Sequence, residues 1–376
     1  MLSVVIYGAS GAHELRPAVR PTVTVDGVRV GCGLMDMPRP AFDPDAPPTA
    51  GKVLVQVTAV SCNYRDKAFF FAMQRVPEHR FTTIGSEFAG CVRAVGSGVT
   101  RFRVGDRVTC DHHYDGNVFA ADGVRQGVVS NQSSRAYHVL SERKLHHIPP
   151  SMSDDAAAAF SLGAQTAYSM VRRASIDVGH SVLITAGASN TSLFLLAAAI
   201  RRGASVTMIT TSARAVDRLS ALGAERVVLT ERAPGGREVS AAIERSARER
   251  DGFDAILDPF FDLHAEAAVT ALRPGGAYVT CGFAGQNANS MAASGVSDSP
   301  LLYPVLSLAM RKNLSIIGNC IGLASDLDRA LEDAGAHRVA PVIDSVFSGP
   351  SDVAPFFNRT YNDPFRLGKV VFHYGA

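Results

Sequence analysis

The sequence predicts an α/β protein in which a β-rich part encloses a doubly wound parallel sheet. Three observations carry this. β-branched runs punctuated by glycine dominate the first 150 or so residues. From Ser153 onward, short apolar strands alternate with helical stretches in βαβ fashion. The segment after Ile317 is too short for a third domain of ordinary size, so it is expected to return to the first. With 47% hydrophobic and 19% charged residues, the 376-residue chain is not disordered, collagen-like or a coiled coil. Its 37 basic residues against 35 acidic ones leave a formal charge of +2, which gives no electrostatic case for nucleic acid or an anionic membrane.

Met1-Leu2-Ser3-Val4-Val5-Ile6 lacks a basic leader and a recognisable cleavage site, so a cytoplasmic protein is expected. Residues 43–51, rich in Pro and Gly, read as a surface loop before a strand at 52–60. Residues 89–96 and 106–108 repeat the strand character. Ser153-Asp154-Asp155 before an alanine-rich stretch is a helix N-cap with an acidic first turn. Candidate strands follow at 182–185, 205–209, 226–229, 255–258, 277–280 and 314–317. Being apolar on both faces, they suit a parallel sheet covered on both sides, with ligands at its carboxyl edge. The uncharged stretch 178–200 is long enough to span a membrane, but Ala186-Gly187-Ala188-Ser189-Asn190-Thr191-Ser192 interrupts it, so it reads as strand, loop, helix. One more helix at 325–334 and a strand at 369–372 close the chain. The six cysteines show no close repeated spacing, and the adjacent pairs His112-His113 and His146-His147 point to opposite faces of a strand. Neither pattern announces a metal site.

The turn after the strand at 182–185 holds Gly187, Ser189, Asn190 and Thr191. It stands where a dinucleotide pyrophosphate meets the N–H groups and dipole of a helix N-terminus. Only Gly187 is glycine, so on the turn alone an ordinary capped strand-to-helix turn is the stronger reading. The next strand runs into Thr211, Ser212 and Arg214, with no acidic residue until Asp217. Hydroxyls and a cation there favour a 2′-phosphate and hence NADP, where an acidic residue would favour NAD; a capped helix with a solvated arginine is the alternative.

The run Gly85-Ser86-Glu87-Phe88-Ala89-Gly90 through Val95-Gly96-Ser97-Gly98-Val99 to Gly105-Asp106-Arg107-Val108 resembles the long signature of the medium-chain dehydrogenase/reductase superfamily. Supporting segments follow the superfamily's order along nearly the whole chain: Ser61-Cys62-Asn63-Tyr64-Arg65-Asp66, Thr166-Ala167-Tyr168, Ala221-Leu222-Gly223-Ala224, Leu272-Arg273-Pro274-Gly275-Gly276 and Leu367-Gly368-Lys369-Val370-Val371. The resemblance implies a GroES-like catalytic domain over 1–163, an inserted Rossmann NADP-binding domain over 164–318 and a return over 319–376. It implies a nicotinamide cofactor, an oxidoreductase and a homodimer paired through 314–318. It also lifts the phosphate-turn reading above its alternative, and places Thr166, Gly282 and Lys369 among cofactor-binding candidates. A solvated lysine at a strand start is the other reading of Lys369.

In zinc-dependent members, ligands occupy the positions matched here by Asn63, Ser86 and Leu162. Leucine cannot ligate, serine is a poor zinc ligand, and Cys62 is off register by one. After Cys110 there is no cysteine until Cys281, so the four-cysteine structural loop is missing too. The resemblance is therefore to the zinc-free quinone oxidoreductases and enoyl reductases. Without a Lewis acid, hydride addition to an activated alkene, an enone, enoyl or dehydroamino acid group, or to a quinone is the leading chemistry. The expected partner is a small-molecule or modified-peptide substrate. Tyr64 is the candidate proton donor, with a packed aromatic as the other reading; Asn63 orients nicotinamide or substrate, and Asp66 organises the loop. Cys62 reads as a buried inert thiol rather than one that adds to an electrophilic substrate, His112, His113 and Tyr114 as surface loop residues with a reach into the substrate cleft as the other reading, 115–134 as a substrate-selecting loop, and Phe69-Phe70-Phe71-Ala72-Met73 as an apolar wall or core. A zinc-free carbonyl or alcohol dehydrogenase and a non-catalytic NADPH binder are the competing functions.

Overall fold

The structure, a computed structural model, describes residues 1–8, 21–75, 81–113, 128–284 and 302–375; Tyr114 and 115–127 of the expected substrate loop lie outside them. The chain divides into two compact units, 1–162 with 323–376, and 163–322. The second runs past 318 because the Asn319 amide donates to the Thr280 carbonyl at 2.7 Å and the Asn319 side chain accepts from Ser169 at 2.9 Å.

The first stretch folds as β1 (Leu2–Tyr7), β2 (Thr22–Val25), β3 (Val28–Asp36), β4 (Lys52–Ser61), α1 (Ala68–Arg75), β5 (Phe81–Thr83), β6 (Glu87–Val95), β7 (Arg107–Cys110), β8 (Tyr137–Ser141), β9 (Leu145–His147) and α2 (Asp154–Ala157). The alanine-rich stretch is thus not one helix. Ser153 caps α2 through the Ala156 amide, and α3 (Ser161–Arg173) starts afresh. The middle of the chain supplies β10 (Ser181–Ile184), α4 (Asn190–Arg201), β11 (Ser205–Thr210), α5 (Val216–Ala221), β12 (Arg226–Leu229), α6 (Arg237–Arg250), β13 (Phe253–Asp258), α7 (Phe261–Ala271), β14 (Leu272–Thr280), α8 (Leu302–Lys312) and β15 (Ser315–Gly318). The return is α9 (Ala324–Gly335), β16 (Ile343–Ser348), α10 (Val353–Tyr361) and β17 (Lys369–His373). The sequence reading missed β16 and α10. Pro355 looks like a helix breaker, yet in the first turn of α10 no intrahelical N–H is required of it.

In the first unit the strands form one sheet ordered β2-β3-β1-β5 and another ordered β16-β17-β4-β6-β7-β9, with β8 also on β4. β4 is central because its β-branched residues fill a pleated, buried surface; Val53, Val55 and Val57 are all 1% exposed or less. They join Phe70, Phe88, Phe356, Phe357 and Phe372 in one core, so Phe70 of the expected apolar wall is core. β17 follows Gly368, whose φ of +80° and whose missing Cβ, which would lie 2.2 Å from the Val342 carbonyl oxygen, make glycine obligatory there.

In the second unit one sheet runs β12-β11-β10-β13-β14-β15, with every neighbouring pair parallel. Strand succession leaves β10 toward β12 on one side and β13 toward β15 on the other, so the switch point lies between β10 and β13. The stretch 178–200 is β10, a turn and α4, and no helix among the described residues is long and apolar enough to cross a membrane.

Candidate active site

In the first unit a buried polar cluster gathers around the start of β6 and the start of β17. Asn63 precedes a 3₁₀ turn at Tyr64–Lys67, and the Asp66 carboxyl accepts the Asn63 amide at 2.8 Å. Asp66 also accepts from the Ser86 hydroxyl at 2.8 Å. The Asn63 side-chain amide donates to Ser86 Oγ at 2.8 Å and to Glu87 Oε1 at 3.1 Å, while its Oδ1 accepts from Lys369 Nζ at 2.5 Å. Glu87 accepts further bonds from Ser61 Oγ at 3.2 Å, the Leu162 amide at 3.0 Å and Lys369 Nζ.

Lys369 is 2% exposed and Glu87 fully buried. Burial works against a charge on Glu87, but the Lys369 ammonium beside it and the Leu162 amide override this and hold its carboxyl below the usual value. For Asp66 the nearest cation is the more exposed Arg65 guanidinium at 3.9 Å, and burial raises its carboxyl against the Asn63, Arg65 and Ser86 contacts. Lys369 is therefore not a solvated lysine: its ammonium is engaged inside the first unit by Glu87 and Asn63. Asn63 likewise spends its amide on the cluster. The sequence assigns Glu87 no role of its own, although it lies inside the Gly85-Ser86-Glu87 motif.

Tyr64, 40% exposed, leaves the cluster and faces outward, with Lys67 Nζ 4.6 Å from its ring centroid. Cys62 is 4% exposed, and burial, followed by the Asp66 charge, pushes its thiol up, away from nucleophilic thiolate. His112 is fully buried, not a surface loop residue; burial lowers it to about 4, and its Nε2 lies 3.1 Å from Ser161 Oγ. His113 is buried beside Asp111, its Nδ1 3.2 Å from Asp111 Oδ2.

The three positions matched to zinc ligands are brought together here, through Asn63, Ser86 and the Leu162 amide. Their chemistry does not fit the ion: the Leu162 side chain has no lone pair, Ser86 donates to a carboxyl group, and an ammonium already lies on Asn63. Among the described residues no group of three or more His, Cys, Asp or Glu is placed to hold a metal.

In the second unit, Ser189 caps α4 by accepting the Ser192 amide at 3.2 Å, and Ser192 Oγ reaches back to the Thr185 carbonyl at 2.8 Å. A Cβ on Gly187 would stand 3.0 Å from Leu219 Cδ1 and 3.1 Å from the Ile209 carbonyl oxygen, so a larger residue would have to displace these neighbours by a few tenths of an ångström for the turn to lie this close to β11. Asn190 is buried and Thr191 half-buried at the first positions of α4. These groups leave the N-terminal amides of a twelve-residue helix beside the switch point, a disposition that suits a dinucleotide pyrophosphate. At the end of β11, Thr211 is half-buried and Arg214 exposed. Ser212 is 4% exposed, and its hydroxyl has no hydrogen-bond partner among the described residues. Thr166 is buried on α3, and the Gly282 carbonyl after β14 accepts from Thr280 Oγ1 at 3.2 Å. The sequence reading missed Asp258, Tyr278 and His264, which form a buried hydrogen-bonded group at the ends of β13 and β14 and on α7.

The chain is similar to known proteins in both parts. Residues 49–150 match the alcohol dehydrogenase GroES-like domain family and 191–335 the zinc-binding dehydrogenase family. It is 25% identical over 333 residues to a zinc-type alcohol dehydrogenase-like protein of Schizosaccharomyces pombe, covering 85% of this chain and 90% of that one. It is 25% identical over 323 residues to an acryloyl-coenzyme A reductase of Metallosphaera sedula, covering 80% and 86%. Against a mycocerosic acid synthase-like polyketide synthase of Mycobacterium tuberculosis, identity is 27% over 322 residues, 83% of this chain but only 14% of that much longer protein. The fold of an NAD-dependent alcohol dehydrogenase superposes over 100% of both chains with a TM-score of 0.71 at 22% identity. With both family domains matched in order on a GroES-like part and a parallel nucleotide-binding sheet, the chain belongs to the medium-chain dehydrogenase/reductase superfamily of nicotinamide-dependent oxidoreductases.

Proposed function

We propose that the protein is an NADPH-dependent, zinc-independent reductase that adds hydride to an activated C=C bond or a quinone. The observation that carries this is the Lys369–Glu87–Asn63–Ser86 cluster, a buried cation hydrogen-bonded to Asn63, one of the residues matched to zinc-ligand positions, with Ser86, the second, bonded to the same Asn63. A site without a Lewis acid favours reactions whose negative charge spreads over an enolate rather than settling on one alkoxide oxygen. The similarity to an acryloyl-coenzyme A reductase supports the same chemistry.

Gly187, Ser189, Asn190 and Thr191 hold the pyrophosphate with the α4 amides, and Thr166 and Gly282 lie with them in the second unit. Thr211, the unpartnered buried hydroxyl of Ser212 and exposed Arg214 take the 2′-phosphate, which is why NADPH is preferred over NADH. When bound, the reduced nicotinamide supplies the hydride. Tyr64 then gives its phenolic proton to the α carbon or enolate oxygen, and Asp66 and Asn63 hold its 3₁₀ turn. The substrate is a small molecule or modified peptide bearing the double bond. We further infer a homodimer formed through β15, an exposed sheet edge beside the apolar residues of α8.

The test is oxidation of NADPH against NADH over enones, quinones, ketones and dehydroamino acid peptides, with and without a chelator. NADPH-specific, chelator-resistant turnover of an alkene or quinone is expected. Tyr64→Phe should lower kcat on the order of 10²-fold with NADPH affinity kept. Loss of turnover on chelation sinks the zinc-independent reading; turnover of ketones alone moves the assignment to a carbonyl reductase.

A further inference from the structure

Asp258, the last residue of β13, is fully buried at the switch point and accepts four hydrogen bonds. They come from Thr185 Oγ1, the Phe260 amide at 3.1 Å, His264 Nδ1 at 3.1 Å and the Tyr278 hydroxyl at 2.8 Å. These donors belong to four different pieces of the unit: the residue after β10, the turn after β13, α7 and β14. Tyr278 is 1% exposed and His264 4% exposed, so neither anchor exchanges its bond readily for water. Burial, then the neighbouring Asp258, pushes the Tyr278 phenol up and keeps it a donor.

Thr185 connects this group to the turn. Its side chain is held by Asp258, its amide by the Leu257 carbonyl at 3.2 Å, and its own carbonyl accepts Ser192 Oγ at 2.8 Å. Ser192 is in turn bonded to the Ser189 cap. The bonds from Asp258, Leu257 and Ser192 converge on Thr185, the residue that opens the turn 186–189, where Ala186 is held at φ +51°.

We propose that Asp258 is a positioning residue for the pyrophosphate half of the cofactor site, acting through Thr185 to hold the 186–189 turn and the first amides of α4 in their binding arrangement. The proposal rests on the NADPH reading above. It predicts that cutting the Asp258–Thr185 link weakens ligands that carry the pyrophosphate and spares ligands that occupy only the 2′-phosphate end near Ser212.

The full chain and its variants are titrated calorimetrically with NADPH and with adenosine 2′-monophosphate, which carries the 2′-phosphate but neither pyrophosphate phosphate nor nicotinamide. Thr185→Val, which keeps the shape and removes the hydroxyl, should weaken NADPH roughly tenfold, the loss of about one hydrogen bond's worth of binding. It should leave adenosine 2′-monophosphate within roughly twofold, and Thr185→Ser should restore NADPH affinity. If Thr185→Val does not fold, Tyr278→Phe carries the same comparison, with selective NADPH weakening expected. Equal weakening of both ligands, or of neither, overturns the positioning role while leaving the NADPH reading intact. A wild-type protein that binds neither ligand overturns both.

Discussion

Lys369 and Glu87 form an ion pair whose side chains are 3% and 0% exposed. Removing two charges from water costs several kcal/mol per ion, and the pair persists because Ser61, Asn63 and the Leu162 amide supply further hydrogen bonds to Glu87. Lys369→Met strands a buried carboxylate and should destabilise the protein by about 3–5 kcal/mol in urea unfolding. Adding Glu87→Gln removes the stranded charge and should recover a large part of that loss. A double variant no more stable than the single one would show that the pair is not coupled in this way. The Leu367-Gly368-Lys369 motif singles out Lys369 but not its partner, since Glu87 is 282 positions away and only folding brings them together.

At the scale of elements, α8 turns Tyr303, Leu306 and Met310 outward at 82%, 51% and 75% exposure, and among the described residues β15 is the last strand of its sheet, with Ile316 at 41%. An unpaired strand edge beside an apolar helix stripe is an association surface. The wild-type chain should sediment at twice the monomer mass, and Tyr303→Glu with Met310→Glu should halve that mass without loss of helical content. A wild-type monomer at micromolar concentration would remove the dimer. The strands of the second unit are legible because each is short, apolar and bounded by glycine or polar turns. β16 and α10 are not, because Pro350 and Pro355 carry the signal of a loop while the position of Pro355 in its helix makes it harmless.

Across the whole molecule, histidines lowered by burial lead the response to acid: His112 and His138, with His146 lowered in the same direction. Burial lowers His112 and His138 to about 4 each. Between the ordinary histidine value and 4, the unfolded chain binds these protons and the folded one does not, so stability falls as pH falls through that window. Each such proton contributes about 1.4 kcal/mol per pH unit. Glu87, held low, loses its contribution in the same direction but only at lower pH; Asp66, raised, takes its proton earlier when folded and opposes the loss. The melting temperature should decline from pH 7 toward pH 4, and His138→Gln should make that decline shallower. An unchanged slope in this variant would show that His138 is not carried neutral in the fold.

Composition, periodicity and motif order by themselves determined that this chain has a β-rich part, a parallel nucleotide-binding sheet and a superfamily, because strand patterning and turn chemistry are local and written in consecutive residues. They also pointed to the 185–192 turn and to Ser212, where position after a strand is itself the signal. The neutral burial of His112, the Lys369–Glu87 pair and the four donors on Asp258 were decided only by the tertiary structure. Each depends on desolvation and on partners from distant segments, and neither is a property of a residue's neighbours in the chain.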